Sequence, residues 1–302
     1  MATKIPFVRE IEFTYGQPQQ VSPLIRRVVA NNPGPFTYKG TGVYIIGHGD
    51  VAVIDPGPDD PAHIDVLMQA LRGERATHIL VTHRHLDHSP AAKPLAELTG
   101  ATTYSSTIPP NPSECVGMRL EAEDDHSFKP DVEISDGQIF KGSNWTLEAV
   151  ATPGHTTNHF AFALHEENAL FTGDHIMGWS TTVIGPPDGD MTDYFASLEK
   201  VRDRHYATLW PTHGPPIREV GPFVQAFIDH RLDREAQVIA QLQSGKRLIK
   251  DMVDVMYADV DKRLHPAARH SVLAHMIRLV EMGRVGCDSP ACVDSEYWLR
   301  GV

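Results

Sequence analysis

Apolar and polar positions repeat with two different periods along this chain, and the change from one to the other divides it. In the first two-thirds, apolar residues come in short β-branched or aromatic runs broken by Gly, Pro and Asp, the pattern of strands between tight turns. Val43 to Ile46 and Val51 to Ile54 are two such runs, and Gly47-His48-Gly49-Asp50 between them supplies turn dihedrals for a hairpin. Asp55-Pro56-Gly57 ends the second run. The spacing then becomes helical from His63 to Leu71, through Ile64, Leu67 and Met68, and Thr77 to Val81 is a short apolar run ending at a polar loop. A strand, helix, strand unit is predicted. Ser89 as N-cap and Pro90 in the first turn predict a helix to Leu98 with Gly100 as its stop, and Pro94 is expected to distort it. Further strands are predicted at Trp145 to Val150, His159 to Leu164, Ala169 to Thr172 and Ala207 to Trp210, with a helix from Thr192 to Arg204 between the last two.

From about Gly221 the period is helical throughout. Pro222 to Leu242, Leu248 to Tyr257 and Pro266 to Met282 carry apolar residues at 3.6-residue spacing, and Gly283 closes the last of them. The tail from Arg284 to Leu299 then alternates enough to pair as a two-stranded wing. Three helices and a wing describe a winged-helix module, so two domains are expected, residues 1–220 and residues 221–302.

Composition narrows the classes. The chain has 302 residues with 41% hydrophobic and 22% charged, a soluble globular profile. No apolar run approaches the roughly 20 residues of a membrane span. Lys4, Arg9, Glu10 and Glu12 interrupt the N-terminus where an export signal would be apolar, so a cytoplasmic protein is expected. Cys115, Cys287 and Cys292 are too few and scattered for a disulfide framework, which fits a reducing compartment. The C-x4-C spacing of the last two, without a second ligand pair, reads as two ordinary thiols. The net charge is −12, and residues from 221 onward hold 11 basic and 11 acidic side chains, so the negative charge belongs to the first domain. Such a surface offers nucleic acid no general basic face.

The outstanding component is 17 histidines. Thr82-His83-Arg84-His85-Leu86-Asp87-His88 stands where the strand from Thr77 to Val81 runs into a loop. His83 and His85 can present two imidazoles to one cation, and Asp87 and His88 can face a second. Pro153-Gly154-His155, Gly173-Asp174-His175 and Pro211-Thr212-His213-Gly214 each follow a predicted strand. These residues therefore converge at one edge. Imidazole and carboxylate donors suit zinc, and also iron or manganese.

HRHLDH, followed in order by His155, Asp174 and His213, resembles the metallo-β-lactamase superfamily from about Gly40 to Pro216. The resemblance implies an α/β fold, a four-layer αββα sandwich. It also implies His83, His85 and His155 on a first metal, Asp87, His88 and His213 on a second, and Asp174 bridging two Zn2+. Asp55 matches the family's supporting aspartate. GDHIMGWSTTV and DHRLDRE resemble the subgroup with a C-terminal winged helix, although Ser89-Pro90-Ala91 stands where many members have Gly-Gly. The chemistry implied is hydrolysis by a water that the metals make acidic, with Asp87 orienting it and accepting its proton. His159 is taken as a further catalytic residue lining the pocket, whereas His175, Tyr194 and Ser180-Thr181-Thr182 read as packing, helix-start and loop residues. The expected substrate is a small-molecule ester, thioester or lactone. The alternative is a phosphodiesterase acting on single-stranded RNA, against which the neutral C-terminal module argues. The stripe Leu273, Ile277, Val280 suits a cap over the pocket, a homodimer contact or the module's own core.

Overall fold

Alternation of side chains along the strands decides how the layers stack. The structure, a computed structural model, describes residues 3–109, 124–259, 261–288 and 290–301. Cys115 lies outside them. One sheet contains β1 (Gln19–Ser22), β2 (Ile25–Val29), β3 (Gly42–Ile46), β4 (Asp50–Ile54), β5 (Arg75–Leu80), β6 (Thr102–Ser105) and β7 (Val132–Glu133), in that spatial order. The other contains β8 (Ile139–Lys141), β9 (Thr146–Ala151), β10 (Phe160–Leu164), β11 (Ala169–Gly173) and β12 (Thr208–Pro211), in the order β12-β11-β10-β9-β8. The helices are α1 (Pro61–Ala70), α2 (Ala92–Thr99), α3 (Met191–Asp203), α4 (Val220–Gln243), α5 (Ile249–Met256) and α6 (His265–Glu281), and β13 (Val285–Cys287) and β14 (Tyr297–Leu299) complete the described elements.

In β3 and β4, Tyr44, Ile46, Ala52 and Ile54 point to the second sheet, where they meet Phe160, Phe162, Leu164, Phe171 and Trp210. Their neighbours Val43, Ile45, Val51 and Val53 point the other way, onto Leu67 and Leu71 from the α1 segment and Leu95 of α2. In β10 the alternation is the same: Ala161 and Ala163 face Tyr194, Phe195 and Leu198 of α3 and Phe223 and Phe227 of α4. Both sheets are therefore covered on both faces, which is the αββα sandwich expected.

Helix α4 spans two cores. Its first half lies in the cluster against α3, and Val238 and Leu242 belong to a separate cluster with Met252, Val253, Leu273, Met276, Val285 and Tyr297. The wing pairs Val285 with Leu299 and Cys287 with Tyr297, antiparallel. Of the stripe, Leu273 is buried in that core with Ile277 and Val280 packed partly against it, so the stripe serves the module's own interior.

Several expectations need correction. α2 starts at Ala92, with Ala91 at its cap and no side-chain bond there. Ser89 instead donates to Asp125 Oδ2 at 3.1 Å. Pro94 consequently falls at the third helical position, where the N–H would be orphaned anyway, and it causes no break. α1 begins two residues early because Asp60 accepts from Ala62 N at 3.0 Å and Pro61 fits the first position. β1, β2, β6, β7 and β8 had no predicted counterpart. Cys287 is a free thiol but Cys292 is disulfide-bonded, so the reading of two ordinary thiols holds only for the first. Among the described residues, no helix is long and apolar enough to cross a membrane.

Candidate metal centre

The strands deliver their chemistry at one edge because β4 and β5 are parallel, β11 and β12 are parallel, and β9 and β11 both run antiparallel to β10. Asp55, the loop from Thr82 to His88, His155, Asp174 and His213 all follow the C-terminal ends of these strands. Loops there can wrap an ion without breaking ladder hydrogen bonds.

Three overlapping groups result, each with its ligand atoms within 4.8 Å of one another: His83, His85, His155; then His83, His88, Asp174; then Asp87, His88, His213. His83 Nε2 lies 2.9 Å from His85 Nδ1, and His155 Nε2 lies 3.4 Å from the same atom. On the other side His213 Nε2 is 3.0 Å from Asp87 Oδ2 and 3.4 Å from Asp174 Oδ1, while His88 Nε2 is 3.5 Å from Asp174 Oδ2. All seven residues singled out by the sequence as ligands thus meet, with Asp174 between the two sets.

Hydrogen bonds on the outer side aim the rings. His155 Nδ1 donates to Val183 O at 2.9 Å, and His213 Nδ1 donates to Gly40 O at 3.2 Å. His88 Nδ1 donates to Asp55 Oδ2 at 2.9 Å. Thr82 Oγ1 donates to Asp55 Oδ2 and so is left to accept from His83 Nδ1 at 3.0 Å. Each arrangement protonates Nδ1 and turns the Nε2 lone pair inward. Asp55 is the hub: it also accepts from Thr82 N at 2.8 Å and Thr212 Oγ1 at 2.9 Å. It is fully buried and adopts a left-handed backbone at φ 48°, a conformation Asp tolerates better than most residues.

The donor set fits divalent cations. His88 Nε2, His213 Nε2 and Asp174 Oδ1 are buried and meet their charged neighbours only as close contacts, without a directed hydrogen bond among the described residues, an arrangement that is costly unless something binds them. Electrostatics divides the cluster. Burial, aided by His155, lowers the His85 pKa to about 3, and burial with the neighbouring imidazoles holds that of His83 well below its usual range. Burial also disfavours charge on His88 and His213, but Asp87 and Asp174 outweigh it, raising His88 well above its ordinary value and His213 to about 10. The carboxyls respond in kind: burial opposes ionisation, yet His88 and His213 hold both well below the usual range. Two buried carboxylates demand positive charge at this point, which protons or a cation can supply.

His159 does not occupy the role expected of it. It is fully buried and belongs to none of the three groups. Its Nε2 accepts from Asp174 N at 3.2 Å and its Nδ1 is 2.8 Å from Thr152 Oγ1, so both nitrogens are committed to holding backbone and hydroxyl in place. His175 is likewise buried behind the centre and outside the groups. Thr182, read as a loop residue, proves more important: its hydroxyl is 2.9 Å from Asp174 O and 3.0 Å from His175 O. Thr212 and Asp125 were also missed. Asp125 N donates to Arg84 O at 2.6 Å and its side chain holds Ser89, pinning the histidine loop from outside. A threonine directly before a ligand, as at Thr82 and Thr212, was the available signal. Nothing local marked Asp125.

Above the ligands lies a cleft lined by His85, Asp87 and Asp174 and walled by Pro35, Phe36, Met177, Trp179 and Val183. Among the described residues lining it, none is Lys or Arg.

The family model described as the metallo-beta-lactamase superfamily matches residues 39–213, and that of the beta-lactamase associated winged helix domain matches residues 249–289. The chain is 31% identical to the beta-lactamase-like protein 2 homolog of Caenorhabditis elegans, covering 88% of each. It is also 31% identical to an atrochrysone carboxyl ACP thioesterase of Aspergillus fumigatus, over 93% of this chain and 88% of the other. Among solved structures, a beta-lactamase domain protein from Burkholderia ambifaria shares the fold with a TM-score of 0.76 at 18% identity, over 98% of this chain and 97% of that one.

Proposed function

The chain belongs to the metallo-β-lactamase superfamily and is a metal-dependent hydrolase, and from that premise we propose that it is a dinuclear zinc enzyme that hydrolyses acyl thioesters. His83, His85 and His155 would hold one ion, Asp87, His88 and His213 the other, and Asp174 both. Two such ions supply an acidified water and polarisation of the acyl carbonyl. Asp87, on the cleft side, would orient the attacking water and accept its proton. The outer hydrogen bonds from His88, His155 and His213 keep the imidazoles from rotating as charge redistributes.

The observation that carries the substrate class is the cleft wall. Phe36, Met177, Trp179 and Val183, beside Ser180 and Thr181, offer apolar surface for an acyl chain, and no described cation there would meet a phosphodiester backbone. The thioesterase named among the relatives points in the same direction.

One metal-loaded preparation assayed against a panel of acyl thioesters and a labelled single-stranded RNA tests this. Thioester cleavage lost in Asp174→Ala is expected. Cleavage of RNA alone, lost in the same variant, would contradict the substrate class.

A further inference from the structure

Helix α4 contributes a buried cation to the metal centre's outer scaffold. Arg231 is only 3% exposed, forms no ion pair among the described residues, and leaves its Nε without a hydrogen-bond partner among them. A lone buried guanidinium is costly and calls for a compensating role. Its Nη2 donates to Thr182 O, and its Cζ sits 5.3 Å from the centre of the Tyr194 ring. Both contacts bear on one loop. Thr182 holds Asp174 O and His175 O through its hydroxyl, and Val183 O, one residue on, accepts from His155 Nδ1 at 2.9 Å. Tyr194 also reaches this region, its OH donating to His175 O at 2.9 Å. One side chain therefore clamps the segment that orients a ligand of each proposed set.

We infer that Arg231 is a positioning residue for the metal centre, fixing the Thr182–Val183 segment so that His155 and Asp174 are held in ligating geometry. The inference rests on the reading of the cluster as a metal site. Arg231 lies on the same helix whose far end enters the winged-helix core, so the module's packing and the centre's geometry meet at this residue.

The control is Arg278, which bonds Glu235 of α4 at 2.5 Å and lies 4.3 Å from the Phe195 ring centre, in the same interface without touching the loop. Zinc affinity is measured by chelator competition on the full chain for the wild type, Arg231→Met, Arg231→Lys and Arg278→Met, with thermal unfolding in parallel. Loss of a partner that orients ligands costs about 10- to 100-fold in affinity, and that loss is expected in Arg231→Met, with a smaller one in Arg231→Lys, which keeps charge but not the fork. Arg278→Met is expected to lower the melting temperature while keeping wild-type affinity. Unchanged affinity in folded Arg231→Met, or an equal loss in Arg278→Met, overturns the inference. If Arg231→Met does not fold, unchanged affinity in Arg231→Lys does so instead. A wild type that binds no zinc would be a failure of the metal reading, distinguishable at once from these.

Discussion

At the scale of single residues, Asp55 carries more of the centre than any side chain that would touch a metal. One buried carboxylate receives Thr82 N, Thr82 Oγ1, Thr212 Oγ1 and His88 Nδ1, joining three loops. Asparagine suits its left-handed backbone nearly as well, so Asp55→Asn isolates the charge and acceptor capacity from conformational strain. Leaving buried donors unsatisfied costs about 1–3 kcal/mol, and Asp55→Asn is expected to lose about that in denaturant unfolding while also retaining metal less well. A variant as stable as the wild type would show that the hub is dispensable. The seven clustered positions were legible in the sequence because each is a His or Asp just past a short apolar run. His159 misled for a related reason: it also follows such a site, but its ring points behind Asp174 rather than into the cleft. Spacing locates a residue along the chain and says nothing of which way a buried ring faces.

At the scale of elements, the strands with compact β-branched, aromatic or small apolar runs, β3, β4, β5 and β9 to β12, were readable, and so were all the long helices. Of those missed, β1, β6, β7 and β8 are short, polar or at a sheet edge, whereas β2 is buried inside the sheet and its apolar run is interrupted by Arg26 and Arg27. α4 was read as opening the second module, yet its first half belongs to the core beside α3, which periodicity cannot reveal because both partners are apolar. The same helix predicts a pH response. Burial lowers the pKa of His230 from 6.5 to about 4, and burial also depresses His275 across the interface on α6. The unfolded chain takes up these protons first, so the groups contribute their full stability above about pH 6.5 and lose it as the pH falls toward 4. Melting temperature is expected to fall between pH 7 and 5, with a shallower slope in His230→Gln. A slope unchanged by that substitution would remove His230 from the explanation.

At the scale of the whole molecule, a net charge of −12 coexists with a site that demands cations. An acidic surface attracts divalent ions and repels polyanions, which agrees with an apolar acyl substrate better than with RNA. The winged-helix module is neutral, and its contact with the catalytic layers runs through α3, α4 and α6 rather than across an exposed basic face. Everything in the proposed chemistry depends on seven side chains from four loops holding a pair of ions together. Zinc bound per chain, counted at equilibrium dialysis by elemental analysis, is the most direct measure of it. The account predicts close to two ions in the wild type and a clear loss in Asp174→Ala, because that carboxylate lies between both sets; a single ion, or two retained undiminished in the variant, would contradict it.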